Sequence, residues 1–406
     1  MTHTSRQMSL NAFLMATGHH IAAWRLPQAQ ADGGLSLEHY QHLAQTAERG
    51  CFDAVFLSDT LAMLPGELPA LSRMARTEHF EPLTLLGALA AVTRNIGLIA
   101  TVTSSYNSVQ TVAHSFASLH RLSGGRTGWN LVTSSNVQEA PNFGRDQHFE
   151  HAQRYQKATG FLESVRAVWR QQGIAPVQVL AGASDVGREF AATHAEVLFT
   201  AQPDLSCAQA LYADIKRRMA RLGRDPDSLK VMPGILPVIG SSQAHAEDLY
   251  QQLQALVEPE VGLSLLSDIA GGADMSTAPL DGPLPDLPPT NSGVSRQHLL
   301  REVAQKEGLS IRQLYLRMAA ARRHRVVVGT AASVADELEE WFTGRAADGF
   351  NIMPAFLPGG LEDFVDGVVP ELQRRGLFRL EYGGQTLREH LHLLESDLFN
   401  GEKVYA

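Results

Sequence analysis

The stretch SGGRTGWNLVTSSN (123–136) holds the transition on which the fold prediction rests. The glycine pair Gly124–Gly125 ends a helical pattern, and GWNLVTSS (128–135) then has the character of a buried strand. Trp129 and Asn130 stand at its front, although both side chains need hydrogen-bond partners when they are buried. Successive side chains of a strand point to opposite faces, so the two residues must find those partners on different sides.

Seven other segments share the character of this strand. They are nearly continuous apolar runs, which is typical of a parallel sheet that is buried on both faces. With GWNLVTSS they make eight predicted strands. The seven are LNAFLM (10–15), FDAVFLSD (52–59), IGLIATVTSS (96–105), VQVLAG (177–182), EVLFTA (196–201), LKVMPGILPVIG (229–240) and FNIMPAF (350–356).

Amphipathic helical patterns follow almost every predicted strand. Eight strands alternating with helices favour an α/β fold of the closed (β/α)8 TIM-barrel type over an open sheet. We expect one domain over 1–406. The predicted helices cover 37–50, 81–95, 108–125, 150–171, 185–195, 207–222, 244–257, 331–346 and 361–376, with two extra helices within 297–323.

Three excursions interrupt this alternation, at 60–80, 136–149 and 258–296. Long excursions in compact domains are usually lids or binding loops. We expect all three to follow strand ends, on the face where barrel enzymes carry their sites. The last excursion and the two extra helices form a predicted insertion, 258–323, and residues 377–406 form a C-terminal tail.

Composition excludes several classes of protein. Asp and Glu exceed Lys and Arg by 43 to 34, without a basic stripe, so a nucleic-acid partner is not expected. The two cysteines do not form a disulfide framework and fit a reducing cytoplasm. The chain has neither a signal-peptide core nor an apolar run of membrane-spanning length. We therefore expect a cytoplasmic protein without a membrane partner.

The sequence lacks the motifs of several common classes of nucleotide-binding protein and hydrolase. There is no GxGxxG turn, no P-loop and no GxSxG elbow. His390-Leu391-His392 is the one HxH, and we expect it on a solvated helix of the tail. No metal site is predicted.

Polar residues at predicted strand ends offer candidate sites, each with a simpler alternative. AGASDVGRE (181–189) turns from strand to helix, where free N–H groups bind anions, but the residues alone favour a plain capped turn. His151 and Tyr155 lie four apart on one helix face, which is either a ligand face or a solvated one. FLSDT (56–60) and GLIATVTSS (97–105) supply site residues or loop caps.

Taken in order, the motifs resemble those of one family. SLNAFLMATGHHIAAWR (9–25), FEPLTLLGALAAVTRNIGLIATVTSSY (80–106), SGGRTGWNLVTS (123–134) and ADGFNIMPAFLPGGLEDFVDGVVPELQRRGLFR (347–379) carry the likeness, which covers almost the whole chain. The chain resembles the nitrilotriacetate monooxygenase component A, pristinamycin synthase and dibenzothiophene sulfone monooxygenase family. These proteins are flavin-dependent members of the bacterial-luciferase-like superfamily.

The resemblance implies a luciferase-like barrel and a two-component reaction. A separate NAD(P)H:flavin reductase would supply reduced FMN. This chain would bind the FMN, react it with molecular oxygen through a flavin peroxide, and oxidise a small organic substrate. The missing nucleotide motif agrees, because the partner would handle the nicotinamide. The alternative is a luciferase-like oxidoreductase that binds flavin or F420 without oxygenase activity, and a metal hydrolase barrel is a third hypothesis. A homodimer or homotetramer is expected.

The resemblance also implies roles for particular residues. Phe13 and Phe56 would line the substrate pocket, and His20 or His324 would stabilise the peroxide or move a proton, unless either is only a packed ring. Trp129 would face the outer helices. The implied FMN-binding residues are Asp59, Thr101, Asn130, His151, Tyr155 and Ser184.

One departure from the family concerns the segment after VWRQQG (168–173). Relatives usually carry several tens of residues there, near the mouth of the active site, whereas this chain continues directly into IAPVQVLAGAS (174–184). The substrate is therefore not predictable from the family.

Overall fold

The computed structural model describes residues 6–63, 68–75, 77–134, 136–182, 184–288 and 294–393, except the side chains of 151, 152, 294–296, 298 and 299. Within these ranges the chain forms nine strands, and all eight predicted strands are among them. The strands are β1 (Ser9–Leu14), β2 (Ala54–Leu57), β3 (Gly97–Thr103), β4 (Thr127–Val132), β5 (Val177–Ala181), β6 (Val197–Thr200), β7 (Lys230–Ile239), β8 (Arg325–Gly329) and β9 (Gly349–Ile352).

The strands close into a parallel barrel of eight members. Strands β1 to β7 pair in sequence order, and β9 pairs with both β7 and β1, which completes the ring. The strand that was not predicted, β8, pairs with residues 235–239 of the long strand β7. The predicted TIM barrel is confirmed.

Helices lie between most of the strands. The longer ones are α1 (Leu37–Arg49), α3 (Pro82–Ala90), α4 (Val109–Leu122), α6 (His151–Gln171), α7 (Asp185–His194), α8 (Leu205–Arg221), α9 (Gln243–Ala255), α10 (Pro259–Ile269), α11 (Val294–Glu307), α12 (Ile311–Ala321) and α13 (Ala331–Thr343). The short ones are α2 (Leu68–Leu71), α5 (Glu139–Asn142), α14 (Gly359–Asp363), α15 (Val369–Arg374) and α16 (Leu387–His390). No described helix has the length and apolar character needed to cross a membrane.

Alternating side chains of the barrel strands divide the core into two layers. Trp129 of β4 is fully buried in the outer layer, where it contacts the rings of Phe116 and Trp169 on the surrounding helices. Its indole nitrogen donates to the carbonyl of Val102 at 3.1 Å. Its neighbour Asn130 faces the other way, toward Thr101 on β3. The two faces predicted for this pair are therefore observed.

The C-terminal segment closes the end of the barrel at which the strands begin. Leu387 is fully buried, and a Cβ on Gly97 would lie 2.5 Å from its Cδ1 atom. Gly128 leaves similar room, since its Cβ would lie 3.1 Å from the Cδ2 atom of Leu387. The two glycines at the starts of β3 and β4 thus make space for this side chain.

Two expectations about the less regular segments were wrong. The excursion 258–296 follows helix α9 rather than a strand, and it contains α10, whose first residue is Pro259. His390 is 1% exposed in the tail rather than solvated, because it packs against Tyr382 beside the barrel bottom. The predicted helix 361–376 is present over 359–374, and it contains a π-helical segment, Phe364–Val368, before Pro370, a residue that cannot donate a helical hydrogen bond.

The insertion packs onto the loops that follow β1 and β2. Ile21, Leu71 and Val261 share one apolar cluster with α12. Arg73 donates to Glu258 at 2.7 Å, which connects the segment after β2 to the start of α10. The excursion therefore reaches the mouth of the barrel even though it leaves from a helix. Between α6 and β5, only residues 172–176 connect the two elements.

Candidate active site

Asn130 and Thr101 form the centre of the candidate site, on adjacent strands at matching positions of the register. The Asn130 amide nitrogen donates to the Thr101 hydroxyl at 2.9 Å, and both residues are at most 4% exposed. The amide oxygen of Asn130 is buried and meets no hydrogen-bond partner in the described ranges. A buried acceptor of this kind is costly unless a ligand satisfies it.

Four aromatic rings pack together inside the barrel. Phe13 stacks on Phe56 with ring centroids 4.5 Å apart, and Phe199 of β6 meets both rings edge-on. His324 stacks on Phe199 at 5.1 Å with nearly parallel planes. The structure thus brings together the predicted pocket residues Phe13, Phe56 and His324, and it adds Phe199, which the sequence did not single out.

His324 is a neutral imidazole within this group of four rings. Burial, aided by the charges of Arg322 and Arg323, lowers the pKa of His324 to about 3. A Cβ on Gly234 would lie 2.3 Å from Nδ1, so the ring packs directly on the main chain of β7. The Nδ1 atom of His324 makes no hydrogen bond of normal geometry to any part of the chain that the structure describes.

His20 is held by two hydrogen bonds in the loop after β1. Its Nδ1 accepts from the amide of Ala22 at 3.3 Å, so Nε2 carries the proton. Nε2 lies 3.1 Å from the side-chain oxygen of Gln254 on α9. These contacts fix the tautomer and the ring orientation of His20.

Asp59 follows β2 and contacts His79, a partner that sequence reasoning missed. His79 Nε2 lies 3.5 Å from the Asp59 carboxylate. Hydrogen bonding to Asp59 raises the pKa of His79, against the opposing effect of burial. No local pattern connects the two residues, because they are far apart in the sequence.

The predicted phosphate turn comes together with Tyr155 of α6. Ser184 caps α7 by accepting from the Gly187 amide at 3.1 Å, which is the simpler alternative that the residues favoured. A Cβ on Gly187 would lie 2.9 Å from the Tyr155 hydroxyl, and one on Gly182 would lie 3.7 Å from it. His151 begins α6, but its side chain lies outside the described residues.

The charge at this turn is balanced by the next helix. Asp185 stands in the first turn of α7, where its carboxylate would repel a phosphate. Arg218 of α8 pairs with Asp185 at 2.5 Å and with Glu189 at 2.7 Å. The described start of α7 thus presents the positive end of a helix dipole, with the Asp185 and Glu189 carboxylates both paired to Arg218.

Fold and site geometry together agree with one class of protein. The chain matches the family model described as luciferase-like monooxygenase over residues 13–348, and it belongs to that family. The predicted family, and the prediction of a flavin-dependent monooxygenase, are confirmed. No group of three or more possible metal ligands occurs in the described ranges.

Individual relatives agree with this assignment. The pristinamycin IIA synthase of Streptomyces pristinaespiralis contains a chain that is 49% identical, and the match covers 96% of this chain and 97% of that protein. Nitrilotriacetate monooxygenase component A from Aminobacter aminovorans is 40% identical, with 96% and 97% covered. The solved structure of EDTA monooxygenase from Chelativorans sp. BNC1 is 31% identical, with a TM-score of 0.81 and 96% and 99% covered.

Proposed function

We propose that this chain is the oxygenating component of a two-component system that uses reduced FMN and molecular oxygen to oxidise a small organic substrate. A separate NAD(P)H:flavin reductase supplies the reduced FMN. The observation that carries the proposal is the buried, unpartnered amide oxygen of Asn130 at the centre of the barrel, which has no partner among the described residues. It needs a donor from a ligand, and the ring system of a flavin carries one.

The described residues fit FMN at both ends of the ligand. Asn130 and Thr101 would meet the ring system, and Asp59 would lie beside the ring or the ribityl chain. The Ser184 turn and the Tyr155 hydroxyl would hold the phosphate, together with His151. The close contact of Tyr155 with Gly182 and Gly187 supports this assignment, because it brings a hydroxyl to the two glycines of the turn.

When bound, reduced FMN supplies two electrons that split molecular oxygen, so that one atom enters the substrate and the other leaves as water. The protein's contribution is to exclude water and to orient the reactants. The ring wall of Phe13, Phe56 and Phe199 serves the first task. His20 and His324 lie on the substrate side, and His324 stays neutral at physiological pH because of its lowered pKa. It would therefore exchange hydrogen bonds there without bringing a positive charge.

The test measures the fate of reduced FMN. The purified chain is mixed anaerobically with reduced FMN and then with oxygen, and flavin oxidation and hydrogen peroxide release are followed together. We expect oxidation to be slower than in free solution and peroxide release to be delayed. With a generic reductase, labelled oxygen and a panel of substrates, one labelled atom should appear in a product. Oxidation at the rate of free flavin, with immediate and complete peroxide release, would favour the alternative without oxygenase activity.

A further inference from the structure

The carboxyl ends of β3 and β4 are tied together by hydroxyl groups. The Ser134 hydroxyl donates to the Thr103 hydroxyl at 2.7 Å, and the Ser105 hydroxyl donates to the Thr133 carbonyl at 2.9 Å. The Thr103 hydroxyl also accepts from the Ser105 amide at 3.0 Å. The hydroxyl-rich ends of these two strands therefore act as a connection between them, immediately above Thr101 and Asn130.

Ser134 has a backbone conformation that serine rarely adopts. Its φ is 51°, in the left-handed region, and the residue is 7% exposed. Such a conformation persists only where the surroundings hold it, and it is common at functional sites.

Two side chains hold the Ser134 carbonyl from outside the sheet. Arg154 of α6 donates to it through Nη1, and His148 Nε2 lies 3.1 Å from it. The Tyr106 hydroxyl meets the other ring nitrogen of His148 at 2.6 Å. The end of β4 is thereby fixed to the first turns of α6, one residue before Tyr155.

We propose that Arg154 is a positioning residue that aligns the two halves of the flavin site. Asn130 lies four residues before Ser134, and Tyr155 follows Arg154 directly. The hydrogen bond from Arg154 to the Ser134 carbonyl thus sets the distance between the ring side and the phosphate side. This inference rests on the proposed function, because it assumes that FMN spans from Asn130 to the Ser184 turn.

The test compares two ligands that differ only in the phosphate. Dissociation constants of FMN and riboflavin are measured by flavin fluorescence for the native chain and for Arg154→Gln. In the variant the ring side and the phosphate side of the site are no longer held at a fixed distance, so FMN can no longer bind to both at once. We expect FMN affinity to fall about 10- to 100-fold. Riboflavin, which uses only the ring side, should lose much less, so the preference for FMN collapses.

Arg166→Gln is a matched control on the same helix. Arg166 also donates to a main-chain carbonyl, that of His194, at 2.8 Å, but away from the strand ends. We expect this variant to lower the thermal midpoint about as much as Arg154→Gln while leaving the preference for FMN unchanged. Arg154→Lys keeps one donor and should restore part of that preference.

The outcomes separate this inference from the function on which it rests. A native chain that binds neither ligand overturns both. A native chain that prefers FMN, together with an Arg154→Gln variant of equal preference, overturns the positioning role alone. Equal loss of both ligands in Arg154→Gln and Arg166→Gln, in proportion to their thermal midpoints, would reduce Arg154 to a general structural residue.

Discussion

The two ends of the barrel differ in how their polar groups are satisfied. At the end where the strands begin, the buried Asp53 carboxylate accepts from the Leu10 amide at 2.6 Å and pairs with Arg379. Arg379 also donates to the His390 carbonyl at 2.8 Å, which fixes the C-terminal segment. The buried charges of Asp53 and Arg379 are therefore paired with each other within the chain.

At the opposite end the chain leaves groups in costly states. The Asn130 amide oxygen is unpartnered within the described ranges, and His324 is held neutral on the main chain of Gly234. Ser134, Arg322 and Arg323 all have left-handed backbone conformations. Among the described residues, unpartnered buried atoms and left-handed residues also occur at the closed end, for example at His390 Nδ1 and Cys51. The two ends differ instead in their centres: the closed end contributes a paired buried charge to stability, whereas the open end leaves the Asn130 acceptor for a ligand.

The largest effect is expected from breaking the ion pair at the closed end. Arg379→Met leaves the Asp53 carboxylate buried without its partner, which should cost about 3–5 kcal/mol in the free energy of unfolding. Urea denaturation would measure it. Arg374→Met removes an exposed pair with Glu371 and should change the free energy of unfolding far less, because solvent screens that pair. Equal effects of the two variants would contradict the assignment of stability to the closed end.

A smaller effect is expected at the open end, and on binding rather than on folding. Asn130→Ala removes the unpartnered oxygen together with the donor to Thr101. We expect FMN affinity to fall about 10- to 30-fold, the loss of a hydrogen bond in a buried site. The free energy of unfolding without flavin should change by less than about 1 kcal/mol. A large loss of stability with unchanged affinity would show that Asn130 belongs to the core instead.

The smallest effect is a pH dependence of stability caused by His324. Its folded-state pKa lies below that of the unfolded chain, so the unfolded state binds the proton more readily as pH falls below about 6.5. The native chain should lose about 1–2 kcal/mol from this group between about pH 7.5 and 5. His324→Phe keeps a ring against Phe199 and should remove this part of the slope.

His120 and His194, whose pKa values burial lowers to about 4, stay in both proteins and cancel in the comparison. Equilibrium unfolding at several pH values measures the difference. Parallel slopes for the native chain and His324→Phe would contradict the buried neutral state of His324.

The barrel was predictable because each of its strands is a continuous apolar run, and a strand buried on both faces needs such a run. The strand RVVVG (325–329) was not predicted because it is short and follows three basic residues. Helix α10 was not predicted because glycine and proline around it indicate a loop, although proline is well suited to a first helical turn.

The candidate site was predictable only where the resemblance supplied it. From the residues alone, a capped turn or a packed ring was indicated at least as strongly as a ligand at each of these positions. Phe199, His79 and Arg154 act through contacts between distant segments, which no local spacing encodes. The hydroxyl-rich ends of β3 and β4 were visible in the sequence, but their connection through Ser134 depends on a backbone conformation that the sequence does not reveal.

The place of Leu387 after the last barrel strand has a consequence for folding. Its side chain fills the space left by Gly97 and Gly128, which come far earlier in the chain. Contacts of such separation form slowly, because a long loop must close before they stabilise anything. During synthesis the end of the barrel at which the strands begin therefore stays open until residue 387 has emerged. Closing that opening therefore depends on a segment made after every barrel strand.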